Sequence, residues 1–244
     1  MSRTGRLILF GASAFVLCVI AFAPASLVRY LVPRDAVVTI AAPTGTLWRG
    51  SGELGVAGTP VGAVEWTFAP GALLGANLGY DIDLKGDHVA LGGRISAGVS
   101  NARGKLDGTF DTALLADTLA RYDLRIPGTI AVDHLEIGGA YGARLPQTRG
   151  ELKWSGGAVD YTLSGREHHV TLPPLVGFVD SSSGQPEISV YQVNDKMPLL
   201  LARITQDGIA TIGITKQFTK MVGEPWPGSE PDHAVVLEVG EKLF

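Results

Sequence analysis

The chain of 244 residues contains a single cysteine, Cys18, which lies in an apolar run near its start. One thiol cannot form an intrachain disulfide, and the rest of the chain has none to offer a cysteine-ligated metal site. The net charge is −4, and the sequence contains no basic stripe of the kind that nucleic-acid-binding proteins carry. The folded part therefore depends on its own apolar core, and nucleic acid is excluded as a partner.

Catalytic motifs are absent as well. The sequence contains no G-x-S-x-G nucleophile elbow, no P-loop and no zinc-protease motif. None of the histidines has a second histidine or a cysteine at metal-ligand spacing; they are His88, His134, His168, His169 and His233. His168 and His169 are adjacent, so on a strand they point to opposite faces, and we expect both at the surface. The sequence predicts no enzyme, no metal site and no cofactor.

One glycine-rich segment imitates a dinucleotide-binding loop. Residues 50–55, Gly-Ser-Gly-Glu-Leu-Gly, have the G-x-G-x-x-G spacing. In a true site a helix follows and its N-terminus meets the phosphate. The continuation here, Val-Ala-Gly-Thr-Pro at 56–60, cannot form that helix. We expect a tight β turn instead.

Residues 7–28 carry no charge. As a helix, these 22 residues span about 33 Å, against about 30 Å for the hydrocarbon core of a bilayer. We predict a transmembrane helix over 7–28 in contact with lipid, a cytoplasmic tail over 1–6, a linker over 29–36 and an exported β domain over 37–244. A cleaved signal peptide is the alternative, because Ala23-Pro24-Ala25 has the small residues of a cleavage site.

The remainder of the chain predicts antiparallel β structure. In 78–85, Tyr80, Ile82 and Leu84 alternate with charged residues, and similar alternation recurs along the chain between glycine-containing turns. The apolar phase changes at Asp133-His134, which predicts a bulge. Asp111 or Thr112 caps a helical stretch that reaches residue 120, and 216–222 can form a second short turn. The predicted fold is mainly β, a curved antiparallel sheet with one short helix.

The tryptophans have two different expected roles. Trp66 and Trp154 follow apolar alternation and are predicted core residues. Trp48 lies about 20 residues beyond the apolar run, and Trp48 with Arg49 is our candidate for partner contact. Residues 45–50 and 150–156 resemble one another in outline, which leaves an internal duplication open.

Three stretches carry a resemblance to a known family. They are the apolar run ending in Phe22-Ala23-Pro24-Ala25-Ser26-Leu27 with Gly45-Thr46-Leu47-Trp48-Arg49-Gly50 after it; Gly62-Ala63-Val64-Glu65-Trp66-Thr67-Phe68-Ala69-Pro70; and Gly150-Glu151-Leu152-Lys153-Trp154. Their order and spacing resemble protein N of the type II secretion system. The residues that mark the resemblance are Gly45, Thr46, Leu47, Trp48, Gly50, Trp66 and Trp154.

The resemblance implies a single-pass protein of the bacterial inner membrane with a periplasmic β domain. It also implies an accessory or scaffold role in type II secretion, with other inner-membrane or periplasmic components of that system as partners. It transfers no catalytic residue.

A function of another class competes with this one. A long antiparallel sheet with one apolar face can stay open and hold acyl chains, as in the AsmA-like envelope proteins, which the chain distantly resembles. One short helix is too small to cover such a face. A lipid-binding or lipid-transfer protein is therefore the alternative, and closure of the sheet on itself would remove the need for a ligand.

Overall fold

The computed structural model describes residues 3–27, 38–56, 58–163 and 165–242. Its first element is helix α1 (Arg3–Ala21). The helix begins inside the predicted tail and ends earlier than predicted, because Pro24 disfavours helical conformation in the residue before it. Within the described ranges, no helix meets the length and apolarity needed to cross a bilayer. The predicted linker, 29–36, and residue 28 of the predicted span lie outside the described residues, and the membrane crossing stays a prediction.

Sixteen strands make up most of the described chain. They are β1 (Val38–Gly45), β2 (Arg49–Val56), β3 (Thr59–Phe68), β4 (Leu78–Gly86), β5 (Val89–Ala97), β6 (Asn101–Asp111), β7 (Leu124–Arg125), β8 (Thr129–Ala140), β9 (Gln147–Trp154), β10 (Gly157–Leu163), β11 (Arg166–Leu172), β12 (Leu175–Asp180), β13 (Glu187–Gln192), β14 (Pro198–Ile204), β15 (Ile209–Thr215) and β16 (Val235–Lys242).

Thirteen of these strands form one antiparallel sheet in the order β1-β2-β3-β4-β5-β6-β8-β9-β12-β13-β14-β15-β16. The order is linear, so β1 and β16 are its two edges and the sheet is open. Strands β11, β10 and β7 form a second, three-stranded sheet. The predicted mainly β, antiparallel architecture is confirmed.

The alternation of residue types separates the two faces of the main sheet. Val64 pairs with Leu84 and Val132 with Leu152, and this row of apolar pairs continues across the sheet to Leu237. Val64, Leu84 and Val132 are buried. We call this side the apolar face. The opposite side carries most of the charged residues of the strands and is called the charged face.

The predicted bulge is confirmed. The pairing of β8 with β9 shifts register between Asp133 and Glu136, and the φ angle of His134 is +50°. The carboxylate of Asp107 on β6 accepts a hydrogen bond of 2.7 Å from the backbone N–H of His134. This bond holds the bulge, and Leu135 returns to the apolar face, where it pairs with Leu106.

The short helical segments also occur where the sequence predicts them. A 3₁₀ turn (Thr112–Leu115) leads into helix α2 (Ala116–Ala120), and the side chain of Asp111 accepts the N–H of Ala113 at 2.8 Å. Helix α3 (Lys216–Met221) forms the second predicted turn.

The expected tight turn at residues 50–55 is wrong, because this segment lies within β2. Its glycines give room to neighbouring groups. A Cβ added to Gly50 would lie 2.6 Å from the Trp66 ring, and one added to Gly52 would lie 2.8 Å from Ile40 Cγ2.

Antiparallel pairing distributes the loops of the main sheet between two ends. The loops at 46–48, 69–77, 98–100, 141–146, 181–186 and 205–208 lie at one end, which we call the proximal end. The second sheet and helices α2 and α3 belong to the connections at the other, distal end. The segment that follows α1 meets the sheet at the proximal end, through a hydrogen bond of 2.8 Å from Leu47 N to Ala23 O.

Candidate functional site: the anchor clamp

The β1–β2 turn is closed by its own hydrogen bonds. Thr46 N donates to Arg49 O at 2.8 Å, and Arg49 N donates to the Thr46 hydroxyl at 3.1 Å. Gly45 has a φ of +86°, and a Cβ there would lie 2.7 Å from Arg49 O. The turn therefore requires glycine at 45, for its conformation and for space.

This turn grips the end of helix α1. Leu47 N donates to Ala23 O at 2.8 Å, and the indole Nε1 of Trp48 donates to Ile20 O at 2.8 Å. The last carbonyls of a helix have no partner within the helix, and Ile20 O accepts both this indole N–H and the N–H of Ala23, the latter at 3.2 Å. Trp48, our partner-contact candidate, thus has an intrachain contact 28 residues away in the sequence.

The segment after the helix is built into the sheet. Pro24 forms an isolated antiparallel bridge with Thr46, and a 3₁₀ turn follows at Ala25–Leu27. Ala25 is 1% exposed and packs in one core cluster with Val64 and Trp66. The small side chain that suggests a cleavage site is therefore a core residue.

Trp66 completes this arrangement from β3. Its side chain is 7% exposed, and its Nε1 donates to Thr46 O at 3.3 Å. Gly50 pairs directly with Trp66 across the strands, and the missing side chain leaves room for the indole ring. We call the group Ile20, Ala23, Ala25, Thr46, Leu47, Trp48 and Trp66 the anchor clamp.

Aromatic rings extend from the clamp across the next strands. The half-buried Trp48 ring meets Phe68 edge-on at 4.9 Å, and Phe68 meets Tyr80 at 5.7 Å. Such edge-to-face pairs add to the stabilisation that burial gives. Burial also raises the pKa of the Tyr80 hydroxyl above its usual value.

The structure brings six of the seven family-marking residues together and places Trp154 elsewhere. Trp154 lies at the distal end, is 9% exposed and packs with Val159 and Leu172 of the second sheet. Its Nε1 donates to Pro127 O at 3.1 Å. Like Trp66, it donates its indole N–H to a backbone carbonyl. The prediction that both are core residues is confirmed.

Arg49 begins a cross-strand row on the charged face that the sequence analysis missed. The row continues through Thr67, Asp81, Arg94, Lys105, Glu136, Arg149, Asp180, Glu187 and Arg203. Arg94 Nε donates to Asp81 at 2.7 Å, and Lys105 lies 3.5 Å from Glu136. Arg49 is exposed, and no carboxylate of a described residue lies within salt-bridge distance of it. Nine of the ten residues in this row are charged, the exception being Thr67 of β3, and only the strand register aligns these residues.

Four of the five histidines each lie within 4 Å of one acidic side chain; they are His88, His134, His168 and His169. His169 Nδ1 lies 2.6 Å from the Asp160 carboxylate, whose hydrogen bond raises the pKa of His169. His168 is half-buried rather than fully exposed, because its ring stacks on Tyr161 at 5.0 Å. In the part of the chain that the structure describes, no group of three or more His, Cys, Asp or Glu side chains is placed to hold a metal.

Comparison with known protein families identifies the family of this chain. A family model for protein N of the type II secretion system matches residues 36–218, which is more than half of the chain. The matched range contains all seven marking residues and begins after the predicted membrane span. Neither the comparison with curated proteins nor that with solved structures found a match.

Proposed function

We propose an accessory scaffold role for this chain in type II secretion, because it belongs to the type II secretion system protein N family and is thus a component of that system. In this proposal residues 7–28 anchor it in the bacterial inner membrane, the N-terminus is cytoplasmic and the sheet is periplasmic. Its partners are other inner-membrane or periplasmic components of the system. The role is non-catalytic. The observation that carries the proposal is the anchor clamp, which ties a predicted membrane helix to the sheet.

The surface of α1 supports the anchoring. Phe10 is 75% exposed, and Phe15, Val16 and Val19 are also exposed large apolar residues. Contiguous apolar surface of this kind calls for a cover, and a bilayer supplies one for a helix. The hydrogen bonds described above join the sheet to Ile20, near the C-terminal end of the helix, and to Ala23 after it.

The clamp supports a scaffold role because it shortens the connection between membrane and sheet. A flexible linker leaves a domain free to reorient. Here two hydrogen bonds, a β bridge and a buried Ala25 hold the helix end against β1, β2 and β3. A subunit built in this way can hold a partner at a fixed distance from the membrane.

Arg49 is our candidate for the partner contact itself. Arg49 is exposed beside the clamp and makes no ion pair with a described residue, so its fork of donors can meet a carboxylate of another protein. The ring and N–H of Trp48 are engaged with Phe68 and Ile20, so its remaining surface would contribute apolar contact only.

Secretion of exoproteins tests the scaffold proposal. Deleting the gene should lower secretion or disturb assembly of the apparatus, and the wild-type gene should restore both. Normal secretion together with normal assembly in the deletion strain would refute the role. Arg49→Ala should reduce complementation at equal protein level, whereas Arg203→Ala, at the other end of the charged row, should complement fully. Equal complementation by the two variants would exclude Arg49 as the contact.

A second function is favoured by one observation, the exposed part of the apolar face. Ile95, Ile137, Ile212, Leu237 and Val239 all lie on this face and all are exposed. The open edges of the sheet leave room for acyl chains along it. Mass spectrometry of the detergent-purified protein should then detect phospholipid in stoichiometric amount, and its absence would count against lipid handling.

A further inference from the structure

The two ends of the main sheet differ sharply in charge. The six proximal loops contain one basic residue, Arg144, and one acidic residue, Asp207. The distal connections are rich in charge; their acidic residues include Asp87, Asp117, Asp123, Asp195, Glu224, Glu230 and Asp232. Loop tips on a protein surface are usually polar, so an end whose six loops contain only two charged residues needs an explanation.

The tips of three consecutive proximal loops are apolar and exposed. Leu74, in the β3–β4 loop, and Val99, in the β5–β6 loop, are each 95% exposed. Leu73 and Tyr141, the latter in the β8–β9 loop, are exposed as well. We call these four residues the apolar rim.

Contacts between the loops make the rim one surface. The Tyr141 hydroxyl donates to Gly98 O at 3.1 Å, and Tyr141 N donates to Ser100 O at 2.9 Å. Asn77 of the first loop lies so close to Gly98 that a Cβ there would be 2.5 Å from its Oδ1. The three tips therefore stand together and belong to the end of the sheet that holds the helix in the anchor clamp.

We infer that the proximal end lies on a phospholipid surface, with the apolar rim inserted between the headgroups. The inference rests on the membrane anchoring in the proposed function. Protruding single side chains suit the headgroup region of a bilayer, where an apolar residue gains burial without a matching pocket. Tyrosine is enriched at that depth. Arg144, the one cation of the rim loops, suits anionic phospholipid, and the three rim loops contain no carboxylate that such lipid would repel.

Depth-dependent quenching in vesicles tests this placement. The full chain is reconstituted into vesicles of phosphatidylethanolamine and phosphatidylglycerol that contain a fluorescence-quenching lipid. In a Cys18→Ala background, Leu74→Cys and Val99→Cys each carry an environment-sensitive fluorophore. Asp87→Cys, at the distal tip of the β4–β5 hairpin, is the matched control. We expect a blue shift and loss of emission at 74 and 99, and unchanged emission at 87.

A probe on the native thiol of Cys18 tests the membrane anchoring separately from the rim placement that rests on it. The same fluorophore on Cys18 reports whether α1 enters the bilayer. One outcome is quenching of the probe at 18 while the probes at 74 and 99 respond as little as the probe at 87. That outcome would overturn the rim placement alone. No quenching at 18 would overturn the anchoring and the rim placement with it. Equal quenching at 74, 99 and 87 would mean adsorption without orientation and would also overturn the inference.

A charge in the rim provides an independent check. Leu74→Glu places a carboxylate where the inference places lipid, so it should weaken the quenching of the fluorophore at 99. Ala90→Glu adds the same charge to an exposed position near the distal end and should leave that quenching unchanged. Equal quenching at 99 in both variants would contradict insertion of the rim.

Discussion

At the residue scale, the pairing of a glycine with a tryptophan decides where the clamp forms. Gly50 and Trp66 face each other on adjacent strands, and the indole occupies the space that a side chain at 50 would fill. The same indole donates to Thr46 O, so its position also fixes the turn that holds the helix.

Gly50→Ala should lower the free energy of unfolding by about 1–3 kcal/mol, because the added methyl group would overlap the Trp66 ring and Thr44 O. Gly92→Ala is the control in the same sheet, since its Cβ would meet nothing closer than Ile82 O at 3.8 Å. Urea unfolding of both variants measures the difference. Equal losses would show that packing on Trp66 does not set the requirement for glycine.

Trp66→Ala should lower the free energy of unfolding by about 3–5 kcal/mol, as for other large-to-small changes in a core. Urea unfolding measures the loss, and a loss of less than about 1 kcal/mol would show that Trp66 is not a core anchor.

Trp48→Phe keeps a ring against Phe68 but removes the hydrogen bond to Ile20 O, so its effect should be local. We expect faster exchange of the amide hydrogens in 22–27, to which Pro24 contributes none, with little change in global stability.

At the element scale, strand β8 shows how one side chain holds an irregular strand in register. Asp107 accepts bonds at its Oδ1 from the backbone N–H of His134 at 2.7 Å and from the ring at 2.6 Å. The backbone bond is the main reason that the pKa of Asp107 lies below its usual range. A depressed carboxyl pKa stabilises the fold above the ordinary value of about 3.9, and this contribution disappears as the pH falls through the lower folded-state pKa.

Asp107→Asn keeps an acceptor oxygen at the bulge but removes the titration. The wild type should therefore lose more stability than Asp107→Asn when the pH falls from about 5 to about 2, and the two should run parallel at higher pH. Unfolding midpoints in urea at several pH values provide the comparison. Parallel curves over the acid range would show that the carboxylate does not support the bulge.

At the scale of the whole molecule, the burial of Ala25 bears on the N-terminus of the mature protein. Cleavage after Ala25 would remove Ala23, Pro24 and the buried Ala25 from the sheet and would leave a charged amine on Ser26 next to the vacated core site. We expect protein isolated from membranes to retain residues 1–25. Intact-mass measurement checks this, and a mature chain beginning at Ser26 would contradict it.

The sequence predicts local features of this molecule well because they depend on neighbouring residues. Alternation identifies the strands, the phase change at Asp133-His134 identifies the bulge, and Asp111 identifies a cap. Register is different, since the row from Arg49 to Arg203 exists only once ten strands are aligned. The bond from Trp48 to Ile20 joins residues 28 positions apart, and no local pattern announces it. The separation of β7, β10 and β11 into a second sheet is hidden for the same reason.

The strand order of the main sheet has a consequence for how the protein is made. Nearly every strand pairs with the one that precedes it in the chain, and only β7, β10 and β11 interrupt the series. Local contacts of this kind favour rapid folding, and domains generally fold from the N-terminus during synthesis. Each strand of the main sheet after β1 finds a partner already in place when it emerges, whether from the ribosome or from a translocation channel. Assembly can thus begin at the clamp and advance one hairpin at a time, so that the newest strand is always the growing edge.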